Sequence, residues 1–193
     1  MIRTTRLLLV GAAVVLAGVL LSPVVDITPG APAEAATPSS ALELFSVQAN
    51  EAGAAVDYLP VNSRGKSKVE MKDDRVILTF PMYELATGNV IGTIVDDIKS
   101  PVPGFLFDVT TYFKFNDGQN SELVSHGLVS SAPDVQKPGW IIVGNRPTGP
   151  SIISATGAFA GRTGLIRLSG VNDLTKFPDE VYQDDFWVIE LDK

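Results

Sequence analysis

Asp108 and Tyr112 are the residues whose types and spacing best suit acid–base chemistry. They lie in Leu106–Phe115, where side-chain character alternates as in a β-strand, so both share one face. If that face lines a pocket, burial would raise the pKa of the Asp108 carboxyl, and the pair could serve as general acid and base. The alternative is a solvated outer face. The opposite face would then line the interior or a subunit interface with Phe107, Val109, Thr111, Phe113 and Phe115.

Two further residues are candidates for ligand binding. His126, the only histidine, alternates with Val124 and Leu128 on one strand face. A lone histidine among apolar neighbours is either a satisfied core or interface residue or a functional group. Arg146 follows Gly144-Asn145 and precedes Pro147, in a loop that either contributes to binding or is plain surface.

The same residues indicate no metal site and no cofactor. A single histidine cannot form a histidine-based metal site. The adjacent pairs Asp96-Asp97 and Asp184-Asp185 place their members on opposite faces of a strand, so neither pair can chelate jointly. No Ser-His-Asp order with a glycine elbow is present either.

The elements that must position these residues are nearly all β-strands. Short alternating segments recur between Gly, Pro, Asn and Asp, which predicts an up-and-down barrel or a sandwich. Two polar segments, 64–68 and 173–184, are predicted as surface loops. The predicted strands are Leu42–Ala49, Val76–Leu85, Val90–Ile98, Leu106–Phe115, Glu122–Val129, Trp140–Val143, Ile152–Thr156, Gly164–Val171 and Asp185–Leu191.

The first 36 residues read as a secretory signal peptide and linker, which leaves 37–193 as one domain. Arg3 and Arg6 precede the apolar run Leu7–Leu21, and Ala33-Glu34-Ala35 fits a cleavage pattern. We therefore expect a secreted or cell-surface protein. A membrane would be a partner only if this segment were retained as an anchor.

The net charge and the lack of cysteine exclude several classes of partner and of chemistry. The net charge of −7 argues against binding to nucleic acid or to anionic membranes. The chain has no cysteine, which excludes disulfides and thiol catalysis.

Three motifs carry a resemblance to a known family. Gly157, Gly161 and Gly164 bracket Phe159, which predicts a tight corner with one ring plugged inward. Together with Gly88–Ile94 and Tyr112–Gly118, this corner resembles the motifs of the allene oxide cyclase and dirigent barrel superfamily. The resemblance implies an all-β, eight-stranded antiparallel up-and-down β-barrel, often trimeric, with an apolar pocket at one mouth.

Several positions that are catalytic in the family are occupied by other residue types in this sequence. The resemblance puts Gln48 where plant cyclases have Glu, Asn50 where they have Asn, Met82 at a second-strand Asn and Ile98 near a Cys. Glutamine cannot supply the negative charge of a carboxylate, so allene oxide cyclisation is not expected. Gln48 and Asn50 would either orient a ligand by hydrogen bonds or simply close a strand end.

Two functions stay open on this basis. The barrel either binds a hydrophobic small molecule and steers its cyclisation or stereoselective coupling, or it is a non-catalytic carrier or structural secreted protein. Enzymatic activity is therefore undecided; if present, it is that of a cyclase or isomerase. Binding predicts an apolar cavity with a few convergent polar groups, whereas an interior filled by side chains would exclude it.

Overall fold

A computed structural model describes residues 45–47, 56–102, 106–145 and 147–193, with side chains described for all of these but 45–47 and 100–102. The described chain is all-β apart from one short 3-10 turn, η1 (Gly157–Phe159). Its strands are β1 (Phe45–Val47), β2 (Val56–Lys68), β3 (Glu70–Lys72), β4 (Arg75–Glu84), β5 (Val90–Val102), β6 (Leu106–Phe115), β7 (Glu122–Pro133), β8 (Trp140–Asn145), β9 (Ile152–Thr156), β10 (Gly164–Asp173) and β11 (Glu180–Asp192).

Eight antiparallel strands close into a barrel in the order β2-β4-β5-β6-β7-β8-β10-β11, with β11 pairing back onto β2. β1 and β3 add to the outside of this ring by pairing with β2 and β4. Each barrel strand thus pairs with the next barrel strand in the chain, which confirms the predicted closed eight-stranded architecture. β1 lies within the predicted strand Leu42–Ala49, whereas β2 and the outer strand β3 were not predicted.

β8 and β9 share one place in the barrel wall, between β7 and β10. β8 pairs with residues 130–133 of β7, and β9 pairs with residues 122–125. Ser151 bridges the interruption: its carbonyl accepts from the His126 N–H, and its own N–H donates to the Gly164 carbonyl. Ser151 therefore keeps this part of the wall hydrogen-bonded, while residues 147–150 belong to no strand.

Of the two predicted surface loops, the first was wrong and the second was predicted too long. Residues 64–68 lie in β2, where Arg64 and Lys66 form ion pairs with Asp184 and Glu180 of β11. β11 begins at Glu180, so only 174–179 of the second segment is a loop. The charges that suggested a loop lie on the outer side of the barrel.

The glycine corner is confirmed as a packed turn between β9 and β10. Gly157, Gly161 and Gly164 all have positive φ. Phe159 is buried and packs on Phe115 with ring centroids 4.9 Å apart. The corner thus plugs one half of the barrel interior.

Gly157 and Gly161 offer a matched test of this corner. A Cβ at Gly157 would lie 2.3 Å from Ser121 Oγ, whereas a Cβ at Gly161 would meet nothing within 4 Å. Gly161→Ala should lower the free energy of unfolding by about 1 kcal/mol, through its left-handed backbone alone. Gly157→Ala should lower it by about 2–4 kcal/mol, because a steric clash adds to the same strain. Chemical denaturation measures both, and equal losses would contradict the packing at Ser121.

Candidate functional site

The barrel interior divides into a filled half and an open half. In the filled half, buried side chains such as Phe113, Leu123 and Phe159 pack against one another. The open half encloses a space of about 510 Å³, which we call the barrel cavity. Its wall is mainly apolar and includes Val76, Leu78, Ile98, Phe107, Val109, Val129, Ile141, Val143, Leu168, Leu174, Val181 and Trp187.

Two aspartates interrupt this apolar wall. Asp96 comes from β5 and Asp185 from β11, and they are 6% and 2% exposed. The next inward-facing residue of β5 toward the filled half is the core residue Ile94, and Trp187 follows Asp185 on β11. Both carboxyl groups thus lie deep in the barrel cavity, away from its mouth.

The pKa of each carboxyl is raised, chiefly by burial, because a low-dielectric wall disfavours the charged form. Burial raises the pKa of Asp96 to about 6, against hydrogen bonds from Thr111 and Gln183 that lower it. Burial first, and then the charges of Asp96 and Asp184, raise the pKa of Asp185 to about 8, against a lowering hydrogen bond from the Val171 backbone. Near neutral pH the pair therefore holds one proton, with Asp185 favoured as its carrier.

A hydrogen-bond network fixes the polar surroundings of Asp96. Thr111 Oγ1 donates to Asp96 Oδ1 at 2.8 Å. Ser63 Oγ accepts from Gln183 Nε2 at 2.6 Å and from Trp187 Nε1 at 2.9 Å. The Phe113 ring then meets Trp187 edge-on, with centroids 5.2 Å apart. The polar groups are thus anchored to the filled half and held in fixed orientations.

The carboxyl group of Asp185 makes fewer hydrogen bonds than that of Asp96. Asp185 Oδ1 is buried and has no hydrogen-bond partner among the described residues. It packs directly on Gly170, where a Cβ would lie 1.8 Å from Oδ1. Glycine at this position is what leaves room for the carboxyl group.

The predicted pair Asp108 and Tyr112 lies on the outer face of β6. The inner face carries Phe107, Val109 and Thr111, as the aromatic alternative in the sequence indicated. Asp108 Oδ1 lies 2.7 Å from His126 Nε2, which forms a half-exposed polar pair outside the barrel. The structure does not bring Asp108 or Tyr112 into the barrel cavity, and their catalytic role stays a prediction.

The other predicted ligand-binding residues are placed as follows. His126 lies on the outer face of β7 with Leu128, which is also exposed. Gln48, Asn50 and Arg146 lie outside the described residues, so their roles also stay predictions.

Sequence reasoning missed Asp96 and Asp185 as a site, although it recognised half of the signal. Each belongs to an adjacent aspartate pair whose members were expected on opposite strand faces, and in each pair one member does point inward. What the sequence lacked was the pairing order that brings the inner faces of β5 and β11 to one cavity.

Two negative findings concern only the part of the chain that the structure describes. Within it, no group of His, Asp or Glu side chains could hold a metal ion. Nor does a helix there have the length and hydropathy needed to cross a membrane.

The raised pKa of Asp185 predicts how stability depends on pH. The folded state binds more protons than the unfolded chain between pH 3.8 and about 8, so this carboxyl's contribution to stability falls as pH rises through that window. Asp185→Asn, which stays neutral, should match the wild type near pH 4 and exceed it at pH 8 by at least about 1 kcal/mol.

Asp184→Asn is the matched control, because Asp184 is the outward neighbour and pairs with Arg64 at 3.4 Å. It should cost at most about 1 kcal/mol, without the same rise with pH. Urea unfolding at several pH values tests both variants. A constant difference between Asp185→Asn and wild type would show that Asp185 does not carry its proton into the neutral range.

The chain matches no protein-family model, and no curated protein matches it significantly. Membership of the allene oxide cyclase and dirigent superfamily therefore stays a prediction. The structure establishes the closed eight-stranded barrel that this resemblance implied.

Proposed function

We propose that this protein binds an apolar small molecule in the barrel cavity and steers its cyclisation or stereoselective coupling. The observation that carries the proposal is a cavity of about 510 Å³ whose apolar wall holds two buried carboxyl groups. This volume is in the range of small-molecule sites, which are mostly apolar with a few fixed polar groups. Desolvation of the ligand's apolar surface would supply most of the affinity.

The carboxyl pair supports turnover rather than binding alone. A neutral Asp185 can donate a proton to an oxygen of the bound molecule, and an ionised Asp96 can accept one from another of its atoms. Ring closure or isomerisation within one molecule needs no second reactant, and the proton returned balances the proton given. A narrow cavity that holds the reactive conformer would lower the barrier further.

The sequence resemblance supports the binding part of this proposal, because it implies an apolar pocket at one mouth of the barrel. Met82 and Ile98, which are apolar at or near positions where the family has Asn and Cys, face the barrel interior, and Ile98 lines the barrel cavity. Along the same lines we propose export by the N-terminal segment and assembly into a homotrimer or another homo-oligomer. A carrier without turnover is the second candidate, favoured by the predominantly apolar wall.

Val143 and its neighbour Ile142 provide the test. Val143 lines the barrel cavity, whereas Ile142 is 50% exposed on the outside. Val143→Phe should weaken binding of the uncharged dye Nile red at least about tenfold, which is about 1.4 kcal/mol. Ile142→Phe should leave its binding unchanged. Fluorescence titration measures both, and a wild type that binds no dye, or variants that bind equally, would contradict the proposal.

The carboxyl variants separate a catalyst from a carrier. If the protein is a catalyst, a compound that it retains from a metabolite extract should be released as an isomer with a different chromatographic retention time. Asp185→Asn should slow this isomerisation. A carrier would release the compound unaltered, and Asp185→Asn would alter only its affinity.

A further inference from the structure

Two residues that line the barrel cavity carry buried hydrogen-bond acceptors that no donor among the described residues satisfies. Asp185 Oδ1 and Asn172 Oδ1 are both buried without a partner among the described residues, and both residues line this space. They lie on adjacent strands, since Gly170 and Asn172 of β10 pair with Asp185 and Gln183 of β11. A buried acceptor without a donor costs free energy, so a ligand that supplies donors there would bind favourably.

The same space has an excess of negative charge. The only cationic side chain along its described wall is Lys99. Lys99 is exposed and lies three residues beyond Asp96 along β5, toward the mouth. The titratable residues of this wall are Asp73, Asp74, Asp96, Lys99 and Asp185. Deep in the barrel cavity, the carboxyl pair therefore has no positive partner from the described chain.

We propose that the molecule bound in the barrel cavity carries a protonated amine, which lies against Asp185 and Asp96 while its apolar body fills the rest. This inference rests on the proposed function, namely that the cavity takes an apolar small molecule. An ammonium group supplies several donors and a compensating charge at once, which a hydroxyl group or a carboxylate does not. The Trp187 ring on the same wall offers a further surface that attracts cations.

The charge of the pair makes this selectivity depend on pH. The negative charge of Asp96 on β5 repels a negative charge on Asp185 of β11, and Asp184 on the outer face of β11 adds a further like charge. Asp73 and Asp74 of the β3–β4 turn and Lys99 are the remaining charges on the wall. At pH 5 both buried carboxyls are neutral, and at pH 8 the pair is ionised at least once. Preference for a cation should therefore grow as the pH rises between these values.

Three ligands with the same alkyl chain test the inference: decylamine, decan-1-ol and decanoate, each below its micelle concentration. Calorimetric titration of the protein at pH 8 should show the ammonium form binding at least about tenfold more tightly than the alcohol, and the carboxylate binding most weakly. At pH 5 the preference for the amine over the alcohol should fall to about threefold or less.

Variants assign the preference to residues. Asp185→Asn and Asp96→Asn should keep affinity for the alcohol and lose most of the preference for the amine. Asp184→Asn should retain that preference. Equal binding of amine and alcohol by the wild type at pH 8, or tightest binding of decanoate, would overturn the inference while leaving the proposed function intact. Failure of all three ligands to bind would instead count against the proposed function itself.

Discussion

Closure of the sheet by β2 is the constraint on which the rest of the structure depends. β2 pairs along its whole length with β11 and, at residues 61–63, with β4, so the first and last barrel strands are joined. Without these pairs, both neighbours would present free edges, and the interior would open to solvent. Closure also brings Ser63 of β2 within hydrogen-bond distance of Gln183 and Trp187 of β11, so that Ser63 Oγ accepts a hydrogen bond from each.

The closed interior is used in two different ways. Phe159 and its neighbours fill one half with packed rings, and this half supplies the stability expected of a small barrel. The other half is left open and holds two carboxyl groups at a cost in stability, because burial raises the pKa of both. A cost of this kind is typical of binding and catalytic sites, where perturbed carboxyls cluster. Its location inside the cavity is what links the fold to the proposed function.

The sequence predicted those parts whose signal is local. β6 and β9 begin and end at the predicted residues, and the glycine corner folds as expected, because alternation and positive-φ glycines act over a few residues. β2 was missed because the inner face of its second half carries Ser63, Gly65 and Ser67, although Leu59 and Val61 in its first half are buried in the core. The aspartate pair was missed because it joins residues far apart in the chain, which only the strand order brings to one cavity. Asp108 was chosen instead because it shares a strand face with Tyr112, although the aromatic face of the same strand was the natural barrel lining, and the structure places that aromatic face inside.

A direct titration of the aspartate side chains tests the central claim, that a buried pair in the barrel cavity carries one proton at neutral pH. NMR spectra of the carboxyl carbons, recorded across pH and assigned with Asp96→Asn and Asp185→Asn, report each group separately. The structure predicts two aspartates with raised pKa values, Asp96 at about 6 and Asp185 at about 8. If every aspartate carboxyl lost its proton below about pH 5, as exposed carboxyls do, the claim would be contradicted.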